Sequence, residues 1–190
     1  STEKSSLFST VYGPGVVEKV GVVNASVTGK KHSAILVGWL DIDAYVRDSF
    51  TKGTVNPNVD LVRVEDDYIL SGGLVGTNDE GSISRSFSHA DVNTGGKPGG
   101  LVGDHYNYDA VISESYSTGN ITEWVWEEYD KNDNFGLVGT SQYGPETSKS
   151  YYDVNSTGPY PESAGGTGLT TSQMTYPNAE GNMSFDFSDE

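Results

Sequence analysis

The chain's pattern is two phrases that keep returning in the same order. An apolar pair set among glycines, Gly99–Gly100–Leu101–Val102–Gly103, is followed by a hydroxyl and aromatic phrase, Ser115–Tyr116–Ser117–Thr118–Gly119. The same order recurs in Gly72–Gly73–Leu74–Val75–Gly76 with Ser86–Phe87–Ser88, and in Phe135–Gly136–Leu137–Val138–Gly139 with Ser150–Tyr151–Tyr152. A worn copy, Ala34–Ile35–Leu36–Val37–Gly38, leads to Ser49–Phe50–Thr51. From the last glycine of the first phrase to the serine of the second the steps are 11, 10, 12 and 11 residues (38 to 49, 76 to 86, 103 to 115, 139 to 150). The return arms differ far more, with 24, 14 and 21 residues (50 to 74, 87 to 101, 116 to 137).

A unit this small cannot bury its own apolar residues, so copies must stack and share one core. The arm of fixed length is then the stacked wall, and the elastic arm carries loops outward. Val, Ile, Tyr, Phe, Ser and Thr punctuated by Gly suit short strands and turns rather than helices. The shortest repeat is 27 residues (74 to 101), about one turn of a parallel β-solenoid, and 190 residues allow about five short coils. The predicted fold is therefore all-β, a parallel β-solenoid with inserted loops or hairpins. Stacking predicts a core column of Leu36, Leu74, Leu101 and Leu137. It also predicts an aromatic column of Phe50, Phe87, Tyr116 and Tyr151, with a serine column of Ser49, Ser86, Ser115 and Ser150 beside it. The repeated Gly38, Gly76, Gly103 and Gly139 imply either a corner with positive φ or a backbone too crowded for a Cβ.

These phrases resemble the GLUG motif, the Gly-Leu-Val-Gly repeat of bacterial and archaeal surface proteins, adhesin-like proteins and some secreted peptidases. The resemblance covers residues 34–174. Its closing part is Ser150–Tyr151–Tyr152–Asp153 with the later stretch Ser163–Ala164–Gly165–Gly166–Thr167–Gly168–Leu169–Thr170–Thr171–Ser172–Gln173–Met174. The resemblance implies a right-handed parallel β-solenoid on an exported protein, acting as stalk or spacer, and supplies no catalytic residues.

Three stretches follow from this: an N-terminal arm or cap over 1–15, a solenoid over 16–174, and a C-terminal tail over 175–190. The Pro-Gly punctuation at Gly13–Pro14–Gly15 sets off the arm, which either covers the raw edge of the first coil or is donated to a neighbouring molecule. Lys30–Lys31–His32 reads as an exposed corner. The stretch from Asn56 to Leu70 reads as an inserted strand or hairpin. Trp124, Trp126 and Tyr129 stand together in the third return arm and are candidates for gripping glycan or a protein partner, or else they roof the solenoid flank. Asp130, Asn132 and Asn134 alternate like calcium ligands, but the loop lacks the glycine and the closing glutamate that calcium loops carry. An Asn/Asp turn is the first reading there and calcium the alternative.

Charge narrows the partners. Twenty-seven acidic against 11 basic side chains give a formal net charge of −16, which repels nucleic acid and anionic lipid. A hydrophobic share of 34% with 24 glycines fits a thin core. The absence of cysteine excludes disulfides and thiolate chemistry. No apolar run is long enough to span a membrane. The start at Ser1, with neither Met nor apolar leader, reads as a mature chain or an excised fragment. Four sequons, at Asn24, Asn120, Asn155 and Asn182, suit a glycosylated extracellular chain.

A polysaccharide-active solenoid would need carboxylates at one register position of neighbouring repeats. The fixed arms hold Ser, Thr and Gly there. His32, His89 and His105 fall at unrelated register positions and read as solvated turn residues. The expectation is therefore a non-catalytic structural protein of the cell surface. It is either a self-assembling subunit of a filament, sheath or surface layer, or an adhesin stalk module, and its partners are copies of itself or other surface proteins. The alternative is a glycan- or protein-binding module working through the Trp124–Tyr129 insertion.

Overall fold

The protein's computed structural model describes residues 4–29, 31–56, 69–94, 96–123, 135–157 and 163–186. The 57–68 and 124–134 stretches of the elastic arms, with Trp124, Trp126, Tyr129, Asp130, Asn132 and Asn134, lie outside them.

Strands enter four parallel sheets in the same order each time. The first set is β1 (Lys4–Ser5), β2 (Phe8–Val11), β3 (Val16–Glu18) and β4 (Gly21–Val27). The second is β5 (His32–Ser33), β6 (Val37–Leu40), β7 (Tyr45–Arg47) and β8 (Phe50–Val55). The third is β9 (Leu70–Gly72), β10 (Val75–Asp79), β11 (Ser82–Ser84) and β12 (Phe87–Thr94). The next is β13 (Lys97–Gly99), β14 (Val102–Tyr106), β15 (Val111–Ser113) and β16 (Tyr116–Ser117), followed by β17 (Ile121–Glu123), which also pairs with β12. After these come β18 (Val138–Gln142), β19 (Glu146–Ser148), β20 (Tyr151–Asp153), β21 (Thr167–Leu169) and a short helix α1 (Ala179–Asn182).

The first sheet runs β1-β5-β9-β13, the second β2-β6-β10-β14-β18 and the third β3-β7-β11-β15-β19. The fourth runs β4-β8-β12-β16-β20-β21. Each strand pairs in parallel with its counterpart one set away, which makes a solenoid-like stack. The fixed arm of the sequence spans the second sheet to the fourth, and the elastic arm returns from the fourth to the first.

Register stacks like upon like. Val37, Val75, Val102 and Val138 align in the second sheet, and Val17, Val46, Ile83 and Ile112 in the third. Leu36, Leu74, Leu101 and Leu137 are fully buried among them. Their backbones continue the ladder, with each N–H donating to the next carbonyl: Leu36 to Leu74 at 3.2 Å, Leu74 to Leu101 and Leu101 to Leu137 at 3.0 Å. A smaller apolar cluster of Ile35, Val55, Ala90 and Val92 fills the side toward the fourth sheet.

The repeated glycines are explained by crowding and not by φ. Positive φ among glycines occurs at Gly53, Gly144 and Gly166. At Gly103 a Cβ would stand 2.6 Å from the Ser71 nitrogen and 2.7 Å from the Gly76 carbonyl oxygen, both backbone atoms of the preceding set. Gly76 and Gly139 meet backbone in the same way. The first and second sheets meet too closely there for any side chain.

The left-handed corner falls instead on the residue before each repeat serine: Lys19 (before Val20 in the first set), Asp48, Arg85, Glu114 and Lys149, with φ of 56°, 51°, 44°, 49° and 43°. The serine holds this corner. Its hydroxyl donates to the carbonyl two residues back, Ser86 to Ser84 at 2.8 Å and Ser115 to Ser113 at 2.7 Å. The same oxygen accepts the N–H of the serine in the preceding set, as in Ser49 N–H to Ser86 Oγ and Ser86 N–H to Ser115 Oγ, both 3.2 Å. The corner residues alternate in charge, and Arg85 forks onto Asp48 at 2.7 and 3.0 Å.

Residues 4–11, read from sequence as an arm or cap, form β1 and β2 of the first set. Phe8 pairs with Val37 and Val11 with Leu40, just as a later set would. At the other end the chain folds back on itself. Ser163 Oγ accepts the N–H groups of Leu137 and Val138, both at 2.9 Å, and β21 covers β20. Leu169, Ala179 and Met183 then pack on Tyr151, and the Ser184 N–H donates to the Tyr151 hydroxyl at 2.8 Å.

Candidate functional site

The aromatic column is real but half-exposed. Phe50 and Phe87 stack at 5.0 Å, and Phe87 and Tyr116 at 5.0 Å. Tyr151 shares their backbone register, yet its ring is buried under the C-terminal segment, with Phe185 at 5.3 Å from Tyr151 and 6.3 Å from Tyr116. Below Phe50 the register position is Gly21, whose missing side chain leaves room for the Phe50 ring.

The histidines are not solvated turn residues. His105 lies inside the stack, with Nε2 3.1 Å from the Glu146 carbonyl and Nδ1 3.3 Å from Asn78 Nδ2. A carbonyl only accepts, so Nε2 carries the proton and Nδ1 receives the Asn78 amide. Burial lowers the His105 pKa from 6.5 to about 4, against a smaller raising effect from the Glu146 carbonyl. His32, expected at an exposed corner, is buried in β5 with Nδ1 2.8 Å from Thr77 Oγ1, and its ring packs edge-on against Trp39. His89 bonds to Thr118 and packs against Phe87 and Tyr116, and burial lowers its pKa.

Beside His105, Asp104 is 6% exposed and its Oδ1 has no hydrogen-bond partner. Burial, with Asp79 nearby, lifts its pKa from 3.8 to about 6 in spite of Lys97. Its register partners are Thr77 and Thr140, which fill the same place without charge. Alignment of the two residues after each repeat glycine (Trp39–Leu40, Thr77–Asn78, Asp104–His105, Thr140–Ser141) is the signal that could have placed both in the wall.

The sequon asparagines at 24, 120, 155 and 182 are all exposed. Asn24 stands out most, at φ 56° within an irregularity of the β4–β8 pairing. Asn155 is the most engaged, its Oδ1 accepting the Thr171 N–H at 3.0 Å. Among the described residues no three His, Asp or Glu side chains gather as a metal site, and no helix is long and apolar enough to cross a membrane.

The raw edge that the sequence reading expected at the first coil lies at β1 to β4. Each of β1 to β4 is the last strand of its sheet, so among the described residues each pairs on one side only. Leu7, Phe8, Tyr12, Val16 and Val23, all in this set, are exposed. Apolar side chains and edge backbone groups thus meet at this end; at the opposite end β13, β18 and β19 are likewise last in their sheets, while β21 covers β20 and Ser163 meets Leu137 and Val138. Comparison with known proteins finds no matching family model, no matching curated protein and no matching solved structure. The GLUG resemblance accordingly rests on the residues quoted for it above.

Proposed function

We propose that this chain is a non-catalytic structural module of the cell surface, a GLUG-type right-handed solenoid that assembles through its first set of strands. The observation that carries the reading is the open face of β1 to β4. Edge strands with exposed apolar residues recruit further strands, and most proteins blunt such edges with charge, proline or a covering segment. Here Leu7, Phe8 and Val23 stand where a covering layer would sit, and a second copy supplies it. The histidines support a non-enzymatic role: the Nε2 of His105 is committed inside the wall, and His32 is buried against Thr77 and Trp39. The extracellular placement, glycosylation at the sequons and assembly into filament, sheath or layer belong to the same proposal.

Electron microscopy and light scattering of the full chain over a range of concentrations test it. Ordered or concentration-dependent assemblies are expected, and Leu7→Asp/Val23→Asp should abolish them without lowering the melting temperature. A monodisperse monomer at high concentration would overturn the reading.

A further inference from the structure

One edge of the stack differs from the rest. In every set the connection between the second and third sheets comes to the same corner: residues 12–15, 41–44, 80–81, 107–110 and 143–145. These connections hold Asp41, Asp43, Glu80 and Asp109, joined by Asp79 at the end of β10, and contain no Lys, Arg or His. They also hold Tyr12, Ile42, Tyr108 and Tyr143, all exposed. The neighbouring corner, by contrast, alternates Lys19, Asp48, Arg85, Glu114 and Lys149 and neutralises itself. At about 4.8 Å per set the acidic, aromatic ridge runs about 19 Å.

Its tyrosine end is built. Tyr106 and Tyr143 meet edge to face at 5.1 Å, and Tyr108 lies 6.0 Å from Tyr143. Asn107 Nδ2 donates to Asp79 Oδ1 at 2.7 Å, which ties this loop to the acid of the preceding set. Tyr143 sits at φ 64°, where the other connections place Asp43, Glu80 and Asn107. Asparagine and aspartate enter that conformation readily, and a bulky ring does not. Despite that conformation Tyr143 remains 52% exposed and Tyr108 73%, so neither ring is held there by a core.

We propose that this ridge is a docking surface for an arginine-rich polypeptide segment. Exposed ring faces beside unneutralised carboxylates attract a cation, and the flat guanidinium both stacks on tyrosine and forks onto carboxylate. Anionic ligands are repelled by the acidic row, and a neutral sugar gains hydrogen bonds from it but no charge attraction. The surface lies along the flank of the stack, so the inference goes beyond the end-to-end assembly proposed above.

Fluorescence anisotropy of the full chain with a labelled peptide alternating arginine and serine tests it, with the lysine counterpart and neutral cello-oligosaccharides as competitors. Saturable binding is expected, weakened by salt and tighter for arginine than for lysine. Tyr108→Ser/Tyr143→Asn should weaken it about tenfold, the worth of one or two cation–ring contacts. Asp43→Asn/Glu80→Gln should weaken it at low salt, and Tyr176→Ser, on the C-terminal segment, should not. Leu7→Asp/Val23→Asp should keep the peptide site while losing assembly, which separates the two proposals. Equal affinity in the tyrosine variant would reduce the effect to diffuse attraction by an acidic chain and overturn the proposal. Competition by the neutral oligosaccharide, lost in the tyrosine variant, would overturn it in favour of a glycan site.

Discussion

Asp104 and His105 are neighbours in sequence, both buried, and they pull stability in opposite directions with pH. The folded pKa of Asp104 is raised from 3.8 to about 6, so its contribution is fully present below 3.8 and is lost as pH rises through 6. The folded pKa of His105 is lowered from 6.5 to about 4, so its contribution is present above 6.5 and is lost as pH falls toward 4. Between pH 4 and 6 the two largely offset each other. Asp104→Thr, which copies Thr77 and Thr140 at the same register, removes one arm. The variant should melt higher than the parent at pH 7, match it near pH 4, and show a steeper fall between those values. Thermal melts across that range check this, and parallel curves for parent and variant would refute the assignment. The glycine argument belongs to the same scale. Gly103→Val should unfold the chain far more readily than a surface change, because its side chain would press on backbone of the neighbouring set that cannot yield.

Among the elements, the serine corner is the piece repeated most faithfully. Ser115 Oγ donates to the Ser113 carbonyl and accepts the Ser86 N–H, in a place with no access to water. Ser115→Ala leaves the Ser86 N–H buried and unpaired, which costs about 1–3 kcal/mol, while the Ser113 carbonyl keeps the Arg85 N–H at 3.2 Å. Chemical denaturation should show this loss, and a change within error at Ser115 would mean that the corner is held by backbone alone. The sequence announced this element well. Fixed spacing from glycine to serine located the wall, and the register Phe50, Phe87, Tyr116, Tyr151 was readable because a strand pairs like with like. It was silent on two points for physical reasons. Crowding by another set's backbone leaves the same glycine in the sequence as a left-handed corner does. Residues 4–11 lack the Gly-Leu-Val-Gly phrase, so the repeat pattern could not assign them to the wall.

At the scale of the whole molecule, stability in a stack is nearly a sum over neighbouring sets. Leu36 is as fully buried as Leu101, because the first set covers it. Leu36→Ala and Leu101→Ala should therefore each cost about 2–5 kcal/mol, with no discount for the position near the end. Removal of residues 1–11 makes a sharper demand. Were this stretch an appendage, its loss would abolish assembly and leave the fold intact. In the structure it carries β1 and β2, whose pairing with β5 and β6 closes the core over Leu36, Val37 and Leu40. Truncation should thus lower the melting temperature as well as alter assembly. Amide exchange should quicken first at residues 33–40 and last around Leu101, which keeps a set on either side. Leu7→Asp/Val23→Asp, which changes only the outer face, should lose assembly at unchanged melting temperature. A truncated chain that melts like the parent would mean that the first set adds nothing to the shared core, and the open face would then have to be sought on β5 to β8.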